Sequence, residues 1–232
     1  MQLFKKIGLL LGATLLLLGQ SVYGMPKALN ANYTVYKGSM NLGDMNLSLR
    51  YAGNQFHYYK DTTARGFVAL LTKAKITEKV DGSFRGNHLT PVKYYFQQST
   101  RQKTRIEKTH FASNQARGSY KDKKFNLKLP SGTLDRASLE IALANDIKSN
   151  RPQLTYNVME RGVLKKYVFA RQGQEKLTTP DGIFLTTKVK VVRAGKKRST
   201  LFWLAKELDY MPVKIVHREK DDVITTIIKN HH

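Results

Sequence analysis

The chain predicts a mainly β fold: a single large twisted antiparallel sheet curled into a half-barrel or β-roll, with one main α-helix packed on it. Three observations carry that expectation. Short runs with period-two alternation recur along most of the chain, the mark of strands with one buried and one wet face. Turn chemistry separates them at close intervals, as in Ala52-Gly53-Asn54, Asp81-Gly82, Arg85-Gly86-Asn87 and Pro180-Asp181-Gly182. One stretch, about 135–149, instead has helical periodicity behind a capping residue. Many short strands and one helix suit a curled sheet better than a layered α/β fold.

Ahead of the sheet, Lys5 and Lys6 precede an apolar run from Ile7 to Leu18. Gln20 and Ser21 then turn polar, and Val22-Tyr23-Gly24 offers small residues for cleavage. This is the layout of a secretory signal peptide, so 1–24 is expected to be removed and 25–232 to form a single β-roll domain. The apolar run falls short of the ~20 residues that a spanning helix needs, and no transmembrane span is expected after cleavage. With no cysteine in the chain, lipid anchoring at cysteine, disulfides, thiol catalysis and Cys-ligated zinc are all excluded. Cleavage takes two lysines and no acids from a formal charge of +23, leaving +21 on a periplasmic or secreted protein. Such an excess draws a protein towards acidic polymers or anionic lipid surfaces.

In order, the first strands are Asn32 to Lys37 and Met40 to Tyr51. In the second, Met45, Leu47, Leu49 and Tyr51 share one face, and Asn46, Ser48 and Arg50 the other. Gln55 to Lys60 returns. Gly66 to Leu71 is an apolar patch that fits a short helix, a core plug or an exposed rim. Ala74 to Val80, His88 to Gln98, Lys103 to Ala112, Gln115 to Tyr120 and Lys123 to Leu129 continue the β pattern. Asp135 then stands where its carboxylate can accept from the free N–H groups of a first helical turn. Leu134 and Leu139 form a staple, and Leu139, Leu143 and Ile147 a stripe, so the helix should lie across one face or the mouth of the sheet. Pro152 stops it.

Gln153 to Glu160, Leu164 to Gln172, Gln174 to Thr178 and Ile183 to Arg193 follow as strands. Leu201 to Leu204 and Val213 to Val216 read as a hairpin across a polar crossing. Pro212 fits at the start of its second strand, where the missing N–H costs no central ladder bond. Trp203 is expected to anchor the core, since a large aromatic buries roughly 150–250 Å². Val223 to Lys229 ends the series.

No catalytic residue, metal site or cofactor is expected. The six histidines lack the spacing that puts two imidazoles on one helical face, although His57 and His217 are candidates to meet across a sheet. The terminal His231-His232 pair fits adventitious metal binding only. No serine has the strand–turn–helix setting of a nucleophile elbow, and capping explains Ser138 beside Asp135. Glu78, Asp81, Glu107, Glu160 and Glu175 are the carboxylates from which a hydrolase would be built in the concave face. With 17 acids against 40 bases, most should instead be ion-paired.

The segment from Lys93 to Lys128 holds ten Lys/Arg and two acids, interleaved with Tyr94, Tyr95, Phe96, Phe111 and Tyr120. Charge with aromatics suits a polyanion. Lys103, Arg105, Lys121, Lys123 and Lys124, with the turn cluster Lys196-Lys197-Arg198, are the candidate contacts to an acidic partner. Export argues against nucleic acid and for lipopolysaccharide, anionic lipid or an acidic glycan. The other binding mode is a lipid-like ligand in the roll, with Phe67, Leu70 and Leu71 as rim or gate.

Four pieces in this order resemble a family of bacterial exported proteins defined only as a domain of unknown function. They are Leu89-Thr90-Pro91-Val92-Lys93-Tyr94-Tyr95, Asp135-Arg136-Ala137-Ser138-Leu139, Glu175 to Gly182 leading to Thr186-Thr187-Lys188-Val189, and Phe202-Trp203-Leu204-Ala205 leading to Tyr210-Met211-Pro212-Val213-Lys214. The resemblance runs from about Asn32 to Ile228 and implies a Gram-negative exported β-roll, with no agreed activity or catalytic residues. The sequence thus points to a non-enzymatic exported binding or envelope-associated protein. A periplasmic or secreted hydrolase is the alternative, and a protein that pairs through an exposed edge strand a third reading.

Overall fold

The computed structural model describes residues 24–192 and 198–232. The expected leader up to Tyr23, and Lys196 and Lys197 of the turn cluster, lie outside the described residues. Strands β1 (Leu29–Lys37), β2 (Met40–Ala52) and β3 (Gln55–Ala64) lead into a short helix, α1 (Gly66–Thr72). Next come β4 (Lys75–Arg85), β5 (His88–Ser99), β6 (Thr104–Ala112), β7 (Gln115–Tyr120) and β8 (Lys123–Lys128). Helix α2 (Arg136–Lys148) precedes β9 (Leu154–Glu160), β10 (Val163–Thr179), β11 (Gly182–Val192), β12 (Arg198–Ala205), β13 (Met211–Glu219) and β14 (Asp222–His231).

Among the described residues all 14 strands belong to one sheet, ordered β8-β7-β6-β5-β4-β3-β2-β1-β14-β13-β12-β11-β10-β9. The molecule is mainly β, with one large unclosed antiparallel sheet, as the alternation predicts. The first and last strands pair with each other, so the two edges are β8 and β9, and α2 joins them in sequence. Side chains and one short bridge fill the seam between those edges. Leu134 forms a parallel bridge with Val158, donating to Asn157 O at 2.9 Å and accepting from Met159 N at 2.8 Å. Ala116, Leu129 and Met159 pack with Phe111, Phe125 and Leu127 into a small apolar cluster. These contacts protect edges that would otherwise invite foreign strands. Gly162, in the turn after β9, permits the tight approach: a Cβ there would lie 3.1 Å from the Phe125 ring of β8.

Asp135 caps α2 as its position predicts, accepting from Ala137 N at 2.8 Å and Ser138 N at 2.9 Å. The helix packs on the sheet as expected, and deeply. Ala137, Ser138, Leu139, Ile141, Leu143, Ala144, Asn145 and Ile147 are all buried, and the helix touches β4 and β5 as well as β9 and β13. It lies against the inner face of the curled sheet. Ser138, Asn145 and Asp146 are buried beside the apolar stripe, on sides that periodicity reads as wet.

One strand boundary is corrected, and the Trp203 expectation holds with an addition. Leu164 to Gln172 and Gln174 to Thr178 form one strand, β10, with a bulge between Arg171 and Gln174 where Gly173 adopts φ +96°. Trp203 is buried but pairs across the sheet with Lys188 and Lys214, on the face opposite Val189 and Phe202. The two ammonium groups lie 4.8 and 4.9 Å from its ring centroid, and its N–H donates to Glu175. Phe202, not Trp203, points towards α2.

Because each strand reverses direction, the turns after the odd-numbered strands gather at one end, here the upper end. It carries α1, Arg101 to Lys103, Lys121-Asp122, Arg161-Gly162 and Lys220-Asp221.

Candidate functional site

Period two turns Phe56, Tyr58 and Lys60 of β3 inward, with Ile76, Glu78 and Val80 of β4 and Tyr94 and Phe96 of β5. The first turns of α2 present Arg136 and Glu140 to them. Lys60 Nζ lies 2.6 Å from Glu140 and 3.1 Å from Glu78. Arg136 Nη2 lies 2.8 Å from Glu78, and its guanidinium covers the Phe96 ring at 4.5 Å. Tyr94 and Tyr58 hydroxyls donate to Glu78 and Glu140, each at 2.6 Å. Burial would raise the Glu78 carboxyl, but Lys60 and Arg136 outweigh it and hold it well below the usual carboxylate range. Burial likewise opposes the Lys60 charge, and Glu140 and Glu78 overcome it, raising its pKa. Two cations and two carboxylates thus form a neutral, hydrogen-bonded cluster between sheet and helix.

Two cavities meet at this cluster, sharing Lys60, Glu78 and Arg136. One, of ≈ 260 Å³, is walled by Leu139, Leu143, Phe169, Val191 and Phe202, with Tyr167, Glu140 and Thr200. The other, of ≈ 310 Å³, is lined by Met45, Thr62, Ile76, Phe96, Gln98 and Arg161. Arg105 stands behind Gln98, donating to it at 3.4 Å, and its buried Nε has no hydrogen-bond partner. A smaller cleft of ≈ 190 Å³ between Leu89–Val92 and Leu129–Thr133, away from the ionic cluster, has no charged residue in its lining.

The seam adds two more buried carboxylates. Glu107 of β6 accepts from Arg161 N at 2.7 Å, and burial, with help from Glu160 and Glu78, pushes its carboxyl up to about 7. Glu160 accepts from the Tyr167 hydroxyl at 2.7 Å and lies 3.3 Å from Lys165. Burial opposes its ionisation, yet these partners and Arg136 hold its pKa below the usual value.

The family model described as "Protein of unknown function (DUF3108)" matches residues 32–229. The chain belongs to the DUF3108 family. No curated protein matches it. Among solved structures it is similar to a β-barrel-like protein of the domain of unknown function DUF1849 from Brucella abortus. That overlay has a TM-score of 0.60 at 6% identity, over 90% of this chain and 98% of the other, and supports the fold alone. A candidate lipoprotein from Parabacteroides distasonis ATCC 8503 matches more loosely (TM-score 0.36, 12% identity, 91% and 98% covered). So does a candidate exported protein with a YmcC-like fold from Bacteroides fragilis NCTC 9343 (TM-score 0.37, 10% identity, 90% and 97% covered).

Of the residues that sequence singled out, this DUF3108 fold gathers most at the upper end. Phe67, Leu70 and Leu71 lie exposed on α1, which settles the patch as a helical rim rather than a core plug. Lys103, Lys121, Lys123, Lys124 and Arg198 are exposed, at or near the same end. Arg105 departs from the rest by facing inward with Glu107, Thr109 and Phe111. Tyr94 and Phe96 are buried, which removes them from any stacking platform. His57 pairs with Asp81 and His217 with Thr200, so the two histidines do not meet. Among the described residues no three His, Asp or Glu converge as metal ligands, and no helix is long and apolar enough to cross a membrane.

Lys60, Arg136 and Glu140 were missed. The available signal was phase: Lys60 continues the alternation of Phe56 and Tyr58, and a charge in an apolar phase marks an inward polar site.

Proposed function

We propose that this DUF3108 protein is an exported, non-enzymatic binding protein that holds an amphiphile with an anionic head group in the concavity of its sheet. The observation that carries the reading is the difference between the two cavities that meet at Lys60, Glu78 and Arg136. Leu139, Leu143, Phe169, Val191 and Phe202 offer an apolar wall to an acyl-like body. The other lining sets Lys60, Arg136 and Arg161 against the single carboxylate Glu78, with Arg105 behind. An anionic head group gains charge-assisted hydrogen bonds there, and Arg side chains suit phosphate or carboxylate oxygens. The leader-like N-terminus supports export, and the net charge of +23 favours encounter with anionic envelope components.

The test is native mass spectrometry, with lipid extraction, of protein taken from its own envelope. A stoichiometric anionic lipid is expected, and Arg161→Ala should retain markedly less of it. An empty protein active on a glycan or ester panel overturns the proposal. The same anionic chemistry on a soluble metabolite would show as bound mass that organic solvent does not extract.

A further inference from the structure

We propose that α1 is a membrane-docking tip that seats the upper end of the barrel on an anionic lipid surface. None of its residues is buried, and Phe67, Leu70 and Leu71 are 72%, 68% and 59% exposed. Their spacing of i, i+3 and i+4 puts all three on one helical face. This is not a frayed piece of core, because neighbouring turns hold the helix at both ends. Arg65 N donates to Leu42 O at 3.0 Å and Arg101 N to Thr72 O at 2.8 Å, while Arg101 Nη2 reaches Leu70 O at 2.7 Å. A fixed backbone with an unpartnered apolar stripe keeps grease in water at a cost, which a partner would relieve.

Charge complementarity identifies that partner. Arg65, Lys73, Lys75, Arg101 and Lys103 are all exposed around α1. Of the nearby carboxylates, Asp44 lies 2.6 Å from Arg65 and Asp61 3.4 Å from Lys75, so cations prevail. Met40, also exposed, opens β2 at the same end. An apolar tip inside a cationic ring matches a bilayer, with acyl chains beneath anionic head groups. A protein groove would need no such ring. The inference stands on this surface and does not depend on what fills the cavity.

The experiment is flotation of the purified protein with phosphatidylcholine vesicles, with or without about 30 mol% phosphatidylglycerol. Binding is expected with the anionic vesicles only, and it should weaken in about 0.5 M salt as head-group attraction is screened. The triple variant Phe67→Ser, Leu70→Ser, Leu71→Ser leaves charge unchanged and should bind at least about tenfold more weakly, with an unaltered circular dichroism spectrum. Lys73→Glu with Lys103→Glu should remove most of the salt-sensitive part. Equal flotation of the triple variant, equal binding to neutral vesicles, or self-association through the stripe without vesicle binding would each overturn the proposal. The triple variant, whose residues line neither cavity, should keep its bound ligand in native mass spectrometry like the wild type, so failure of one reading is separable from failure of the other.

Discussion

Replacing Lys60 by methionine tests whether the ionic cluster is as dry and as ordered as its geometry. The ammonium has 13% of its side chain exposed and binds Glu140 at 2.6 Å and Glu78 at 3.1 Å. Without it, Glu78 keeps Arg136 and Tyr94, whereas Glu140 is left with the Tyr58 hydroxyl alone. Breaking a buried pair from one side costs about 3–5 kcal/mol, because the remaining charge stays desolvated. The residual exposure puts the expectation for Lys60→Met at the lower end, about 3 kcal/mol. In Lys60→Met with Glu140→Leu no orphan charge remains, only a Tyr58 hydroxyl lacking its acceptor at about 1 kcal/mol. The double variant should therefore be more stable than the single one by about 2 kcal/mol. Urea unfolding followed by Trp203 fluorescence measures both, with the slope as a check that the denatured state is unchanged. A single-variant cost below about 1 kcal/mol would mean that water already solvates the cluster. The preorganised Lys60 and Arg136 donors offered to a head group would then be wrong.

Three other expectations follow from acids, two of them buried and one exposed. Glu107 is 1% exposed, and its pKa is raised from 4.5 to about 7, so the folded state holds the proton more tightly than the unfolded chain. Its contribution to stability should therefore grow as pH falls from above 7 towards 4.5, by up to about 3 kcal/mol. Glu107→Gln keeps an oxygen for Arg161 N–H and should erase that increment; equal stability–pH profiles for the two proteins would refute it. Asp135, pushed up to about 6 by burial, acts with the same sign at lower pH, which is why the comparison is made against Glu107→Gln. Asp135→Ala should destabilise by about 1–2 kcal/mol and Asp135→Asn by clearly less, since the amide oxygen still caps the helix. Thermal melts decide that pair, and equal losses would remove capping as the reason. Finally, Glu175→Gln weakens the anion that binds the indole N–H between two lysines, and should shift Trp203 emission while leaving unfolding nearly unchanged.

Alternation at Met45, Leu47 and Leu49, and at Phe125, Leu127 and Leu129, was enough to read strands and the faces they bury. Sidedness along one strand does not say which way the sheet curls, and that is where the sequence stops. Trp203 shows the gap: its size predicts burial in the core, which holds, but not that Lys188 and Lys214 cover its ring. That α2 packs on the sheet was legible from its stripe; how deeply was not, because Ser138, Asn145 and Asp146 are polar yet buried. The cluster depends on residues far apart in sequence, from Lys60 to Glu140, which only sheet closure around the helix brings together. Legible in advance were the apolar patch and the basic turns, both at local positions, and their convergence at one end follows from strand direction alone.

The same carboxylates decide how much weight a hydrolase carries. Asp81 is exposed beside His57, and Glu175 lies against Trp203 on the face away from α2. Glu78 is neutralised by two cations. Glu107 and Glu160 remain, one poised near neutrality and the other ionised, and that division is what acid–base catalysis uses. Yet neither lines the two cavities that meet at Arg136. Glu160 is engaged by Tyr167 and Lys165, and Glu107 spends an oxygen on Arg161 N across the seam. A substrate reaching this pair would have to part β6 from the β9–β10 turn and forfeit the bond that orients the acid. The pair therefore reads as a latch on an unclosed barrel, and Glu107→Gln separates the two roles. As a latch it leaves ligand retention intact and changes only the pH profile of stability, whereas as a catalytic acid it would abolish turnover on whichever ester or glycan the wild type cleaves.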